Sequence, residues 1–182
     1  MKIVLNIGHG GDTDTYDSGA MSLDLKTSEH FFNKYELGPL VIKELQSKGH
    51  EIVEIIQHKN FGELISRINS IPNVDLILSL HSNAYNNHAT GTEVLYFALS
   101  KKSKQLAECL QKRIVNVLGL ADRGAKGLFV GRGSALLIKT KSPCVILEPF
   151  FIDNPGDLSI VRKKLPELAK AISYAVDDWK NL

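Results

Sequence analysis

Apolar residues in this chain come in short runs separated by longer segments of helical spacing. KIVLNI (2–7) is apolar apart from Lys2 and Asn6, and predicts a buried strand. SEHFFNKYELGPLVIKELQSKG (28–49) predicts a long helix, capped by Thr27 or Ser28 and stopped by Gly49. Gly38-Pro39 predicts a kink or break midway along it. EIVEII (51–56) predicts a second strand, and FGELISRINSI (61–71) a short helix ended by Pro72. VDLILSL (74–80) is the near-continuous apolar run of a strand buried on both faces of a parallel sheet. TEVLYFAL (92–99) predicts another strand, with partial alternation. KKSKQLAECLQKRIVNVLG (101–119) repeats apolar residues at helical spacing, with Lys and Arg on the other side. AKGLFVGRGSALLIKTKS (125–142) predicts a strand, a turn, then a strand or a short helix. PCVILEPFF (143–151) predicts a strand and LPELAKAISYAVDDWKNL (165–182) a closing helix. This alternation predicts an α/β fold: a twisted, mostly parallel (mixed) sheet with helices on both faces, in one domain over residues 1–182.

Composition narrows the function classes. The chain has 182 residues, 43% hydrophobic and 23% charged, which suits a globular domain with a proper core. A formal charge of +2 gives no reason to expect nucleic acid as a partner. No segment reaches the ~20 apolar residues of a membrane helix, so membrane insertion is not expected. Asn6, Gly8 and His9 cut the first apolar run too short for a signal peptide, which predicts synthesis in the cytoplasm. The two cysteines, Cys109 on a predicted helix and Cys144 in a predicted strand, have no metal-type spacing and read as free thiols. A monomer is expected.

Candidate chemistry collects at strand ends. In a parallel sheet, sites form where the C-terminal ends of strands meet one edge. Strand 2–7 runs into His9, strand 74–80 into His81, and strand 143–151 carries Glu148 after Val145, Ile146 and Leu147. Two histidines and a desolvated glutamate point to a metal site, and catalytic zinc takes three protein ligands with one open position. A buried salt bridge is the alternative for Glu148. Glu29, in the first turn of the long helix, is one candidate for the third ligand, because the helix dipole favours its ionised form. Glu36, about two turns on, competes with it. His30 points away from Glu29 on a helix and reads as surface or packing. Asp12, Asp14 and Asp17 lack the spacing of a calcium loop and read as solvated loop acids.

In order along the chain, the motifs resemble those of the zinc-dependent N-acetylmuramoyl-L-alanine amidases of the autolysin and phage-endolysin type, amidase type 3. They are Gly8-His9-Gly10-Gly11 with Gly19-Ala20, Glu29 with Asn33, and Ser79-Leu80-His81-Ser82-Asn83-Ala84. Gly91-Thr92-Glu93-Val94, Asp122-Arg123-Gly124, and Pro143 to Glu148 with Phe150 and Asn154 complete the set. The Asn33 match selects Glu29 over Glu36. The resemblance implies zinc on His9, Glu29 and His81, and Glu148 as the proton-carrying catalytic residue. It implies peptidoglycan as substrate, cut between N-acetylmuramic acid and L-alanine, by a lytic enzyme that reaches the cell wall after release. It implies one amidase catalytic domain over 1–182 with no separate wall-binding domain. Tyr16-Asp17-Ser18 stands where the family often has Asp-Pro, and Pro149 removes a backbone N–H beside Glu148. A zinc peptidase acting within the stem peptide and a non-catalytic wall-binding zinc module are the rival readings. Asn83 is expected to orient a ligand, contact substrate or form a turn; Arg123 to meet an anionic stem peptide or a carboxylate on a neighbouring loop. His88 has no assigned role.

Overall fold

The computed structural model describes residues 1–10, 16–57, 60–131 and 134–182. Six strands form one sheet: β1 (Lys2–Ile7), β2 (Glu51–Ile56), β3 (Leu76–Leu80), β4 (Thr92–Phe97), β5 (Asp122–Leu128) and β6 (Cys144–Glu148). Their order is β2-β1-β3-β6-β4-β5. The first four in that order are parallel; β4 runs antiparallel to β6, and β5 parallel to β4. The helices are α1 (Glu29–Phe31), a π-helical segment (Phe32–Leu37), α2 (Gly38–Ser47), α3 (Phe61–Ser70), α4 (Lys101–Leu118), α5 (Ser134–Lys139), α6 (Pro155–Lys163) and α7 (Leu165–Lys180).

Strand alternation sorts the core into two layers. Ile3, Leu5 and Ile7 of β1, with Leu76, Leu78 and Leu80 of β3, pack on the layer that includes α2, α4 and α7. Val4 of β1, Ile77 of β3, and Cys144 and Ile146 of β6 face the opposite way, onto α3 and α5. Each of these buried aliphatic side chains contributes roughly 1.5–3 kcal/mol by leaving water. Among the described residues no helix is long and apolar enough to cross a membrane.

The long helix starts where expected: the Ser28 side chain accepts from the Phe31 N–H. It does not break at Gly38-Pro39. Helical backbone continues from Glu29 to Ser47, and the turns before the proline widen into the π segment. The Gly38 N–H donates to the Asn33 carbonyl, five residues back. Widening relieves the clash that Pro39 would impose on an α-helical carbonyl and absorbs its missing N–H. The segment after residue 121 resolves as β5, starting earlier than expected at Asp122, and then the short helix α5. Helix α6 is an addition to the expected elements. Its signal was Asn154-Pro155: the Asn154 side chain accepts from the Gly156 and Asp157 N–H groups, and Pro155 occupies the first turn.

Candidate metal centre and active site

The parallel strands bring their C-terminal ends to one sheet edge. His9 follows β1, His81 follows β3, and Glu148 ends β6. Ser28 starts the long helix over the same edge, so Glu29 in its first turn reaches between the two histidines. The Glu29 Oε2 lies 3.2 Å from His9 Nε2, and its Oε1 lies 2.8 Å from His81 Nδ1. Two backbone N–H groups also donate to this carboxylate, Ser82 to Oε1 at 3.0 Å and Ala20 to Oε2 at 3.2 Å. Burial disfavours the Glu29 charge, but the two histidines outweigh it and hold the carboxyl below the usual carboxylate range. One ligand atom from each of His9, Glu29 and His81 lies within 4.8 Å of the others. Two imidazoles and an ionised carboxylate, converging from three elements, fit a metal ion bound through nitrogen and oxygen.

The glycines of this edge are imposed by the side chains around them. A Cβ on Gly8 would sit 2.5 Å from Cε1 of the His81 ring, and one on Gly19 would sit 2.8 Å from Oε2 of Glu29. The sharp turn falls on His9 itself, at φ 59°, and on Gly10 at φ 93°. A left-handed non-glycine residue costs on the order of 1 kcal/mol, a strain that accumulates at functional sites. His30, expected at the surface or in packing, is buried, and its Nδ1 donates to the Gly8 carbonyl at 3.1 Å, which ties down the end of β1.

Asp17 corrects the expectation of a solvated loop acid. Its Oδ2 lies 2.8 Å from His9 Nδ1, which leaves Nε2 facing Glu29. A carboxylate behind a ligand histidine fixes its ring and raises its basicity. Asp12 and Asp14 lie outside the described residues. Glu36 is not at the site: it pairs with Arg162 at 2.9 Å on the surface. His88 is exposed and outside the cavity.

The histidines, Glu29 and Glu148 line one cavity of about 670 Å³. The Glu148 Oε2 is buried without a hydrogen-bond partner, so the salt-bridge alternative is not realised among the described residues. Burial, with the Glu29 and Glu93 carboxylates nearby, pushes Glu148 well above the usual carboxylate range. Glu93, read from the sequence only as part of a strand motif, takes a definite place here. It stands directly opposite Glu148 in the antiparallel β4–β6 register. It accepts from Asn83 Nδ2 at 3.0 Å, and from Arg123 Nε and Lys126 Nζ at 2.6 Å each. Burial opposes its charge, but the two cations keep Glu93 below its ordinary value. Arg123 therefore meets a carboxylate of its own chain, while its guanidinium lies 4.9 Å from the Phe151 ring centre.

One consequence is measurable. Burial pulls His9 down, yet Glu29 and Asp17 together raise it to about 9 in the metal-free protein. The protonated form, with the stability its ion pairs give, is fully present below about pH 6.5 and lost as pH rises through about 9. A metal needs the neutral ring, so uptake near pH 7 is expected to release a proton and to tighten as pH rises. Calorimetric titrations in buffers of different ionisation enthalpy read this directly; uptake without proton release would remove His9 from the ligand set.

Comparison with known proteins identifies the family. The model of the N-acetylmuramoyl-L-alanine amidase family matches residues 3–178. The chain belongs to this family. The N-acetylmuramoyl-L-alanine amidase LytC of Bacillus subtilis is 30% identical over 167 residues, covering 88% of this chain and 31% of its own length. The endolysin of Bacillus phage SPP1 is 28% identical over 190 residues, covering 98% of this chain and 65% of its own. The chain thus spans less than two thirds of the length of these curated relatives. The catalytic domain of the CD27L endolysin, which targets Clostridia difficile, superposes with a TM-score of 0.83 at 30% identity, covering 98% of this chain and 97% of that domain. The mixed-sheet α/β architecture is that of an amidase catalytic domain.

Proposed function

We propose that this domain is a zinc-dependent N-acetylmuramoyl-L-alanine amidase, acting on the cell wall as a lytic endolysin or autolysin does. The carrying observation is a three-residue cluster, His9, Glu29 and His81, in one cavity with Glu148, whose Oε2 is buried without a partner among the described residues. Family membership supplies the bond: the amide between the lactyl group of N-acetylmuramic acid and L-alanine in peptidoglycan.

His9, Glu29 and His81 would hold the zinc, with Asp17 fixing the His9 ring from behind. Zinc bound there supplies a Lewis acid that activates water and polarises the scissile carbonyl. Glu148 takes the proton of the attacking water and returns it to the leaving alanine nitrogen, a role for which a raised carboxyl is suited. Glu93 holds Asn83, Arg123 and Lys126 around the same end of β4. Peptidoglycan is the partner, met at the cell wall.

Digestion of purified wall is expected to create new L-alanine amino termini and no new reducing sugar ends. Reducing ends would indicate a glycosidase. A different new amino terminus would indicate a peptidase acting within the stem.

A further inference from the structure

Seven buried side-chain oxygens lack a hydrogen-bond partner among the described residues, on Asn6, Thr27, Asn33, Gln57, Gln111, Glu148 and Asp153. Of these residues, two line the active-site cavity: Glu148 and Gln57. Glu148 already has a role. Gln57 does not, and its position is specific. It directly follows β2 at the edge that carries His9 and His81, and its N–H donates to the Ile7 carbonyl at 2.9 Å. The residue is 6% exposed, and its Oε1 is buried with no hydrogen-bond partner among the described residues. A buried amide left unpaired costs stability, so such a group stands in need of a partner.

The surroundings say what that partner looks like. Phe61, Leu95, Leu136 and Ile146 form an apolar wall of the same cavity. A glutamine amide offers one acceptor oxygen and two N–H donors, which complement the N–H and C=O of another amide. These four side chains carry no polar atom, so this part of the lining suits an apolar substituent and not a charge.

On the reading that the substrate is a muramoyl peptide, we propose that Gln57 and this wall form a recognition subsite for a methyl-bearing secondary amide. A muramoyl peptide has two such groups, the acetamido group of the sugar and the alanyl residue beside the scissile bond. In the complex, the amide of that group exchanges hydrogen bonds with Gln57, and its methyl group packs on the wall.

Gln57→Leu is the test. Removing an unpaired buried amide is expected to leave the melting temperature unchanged or higher, with metal content equal to wild type. On N-acetylmuramoyl-L-alanyl peptides KM is expected to rise about tenfold with kcat little changed, the cost of one lost hydrogen bond to a neutral group. Comparing N-acetylated with N-deacetylated substrate, and alanyl with glycyl substrate, identifies the source. Whichever preference shrinks in the variant names the group that Gln57 reads. Kinetics within twofold of wild type on all substrates overturn the subsite, as does loss of stability accompanied by a kcat defect. If Gln57→Leu does not fold, the unbranched Gln57→Met is read against the same outcomes. If wild type cleaves none of these substrates, the amidase reading falls separately. The subsite is then decided by calorimetric binding of the N-acetylmuramoyl peptide: about tenfold weaker binding to the variant supports it, and equal or no binding to either protein overturns it.

Discussion

Glu148→Gln is expected to lower turnover on peptidoglycan on the order of 100- to 10,000-fold, about 3–5 kcal/mol of transition-state stabilisation, while the protein stays folded and keeps its metal. The amide is nearly isosteric but neither takes nor returns a proton. Its effect on stability has the opposite sign from that of a broken salt bridge. Glu148 has no cationic partner among the described residues, and its Oε2 is buried unpaired. Burial and two neighbouring carboxylates disfavour its charged form, so ionisation weighs against the fold as pH rises. The melting temperature of metal-free Glu148→Gln is therefore expected to equal or exceed that of wild type at neutral pH. Metal content, melting temperature and turnover measured on one preparation separate the cases. Near-normal turnover in a folded, metal-loaded variant would remove Glu148 from the mechanism.

The second large effect belongs to Glu29. Glu29→Ala removes the carboxylate that reaches both histidines, together with the acceptor of the Ser82 and Ala20 N–H groups. Replacing residues that merely support ligands typically costs 10- to 100-fold in metal affinity, so losing the ligand itself is expected to cost more than about 100-fold, with activity lost in parallel. Glu36→Ala breaks an exposed pair with Arg162 and is expected to leave metal affinity and turnover unchanged, with a stability change of about 1 kcal/mol or less. Competition with a chelator of known affinity measures both. Metal loss in Glu36→Ala but not in Glu29→Ala would reverse the assignment.

The sequence by itself determined most of the scaffold, because most of its elements are written in local patterns. Continuous apolar runs specify strands buried on both faces, and helical spacing, with Ser28 at the start of the long helix, specifies helices. The strand-end positions of His9, His81 and Glu148 were legible for the same reason: parallel strands put their C-terminal ends on one edge, and each residue sits where its apolar run finishes. Tertiary structure decided what depends on strand direction and on loops. The antiparallel turn of β4 is not encoded in its own residues, yet it puts the start of that strand at the site and sets Glu93 opposite Glu148. Asp17 lies in a loop of acids whose local pattern says only solvent, and the approach of His9 at a left-handed backbone turn gives it a partner. Gln57 reads as an ordinary polar residue after a strand; the burial of its Oε1 without a partner among the described residues, in a cavity it shares with Glu148, comes from elements distant in sequence. Periodicity reports which face of an element is buried, but not which other element, many residues away, supplies the charge or hydrogen bond that meets it there.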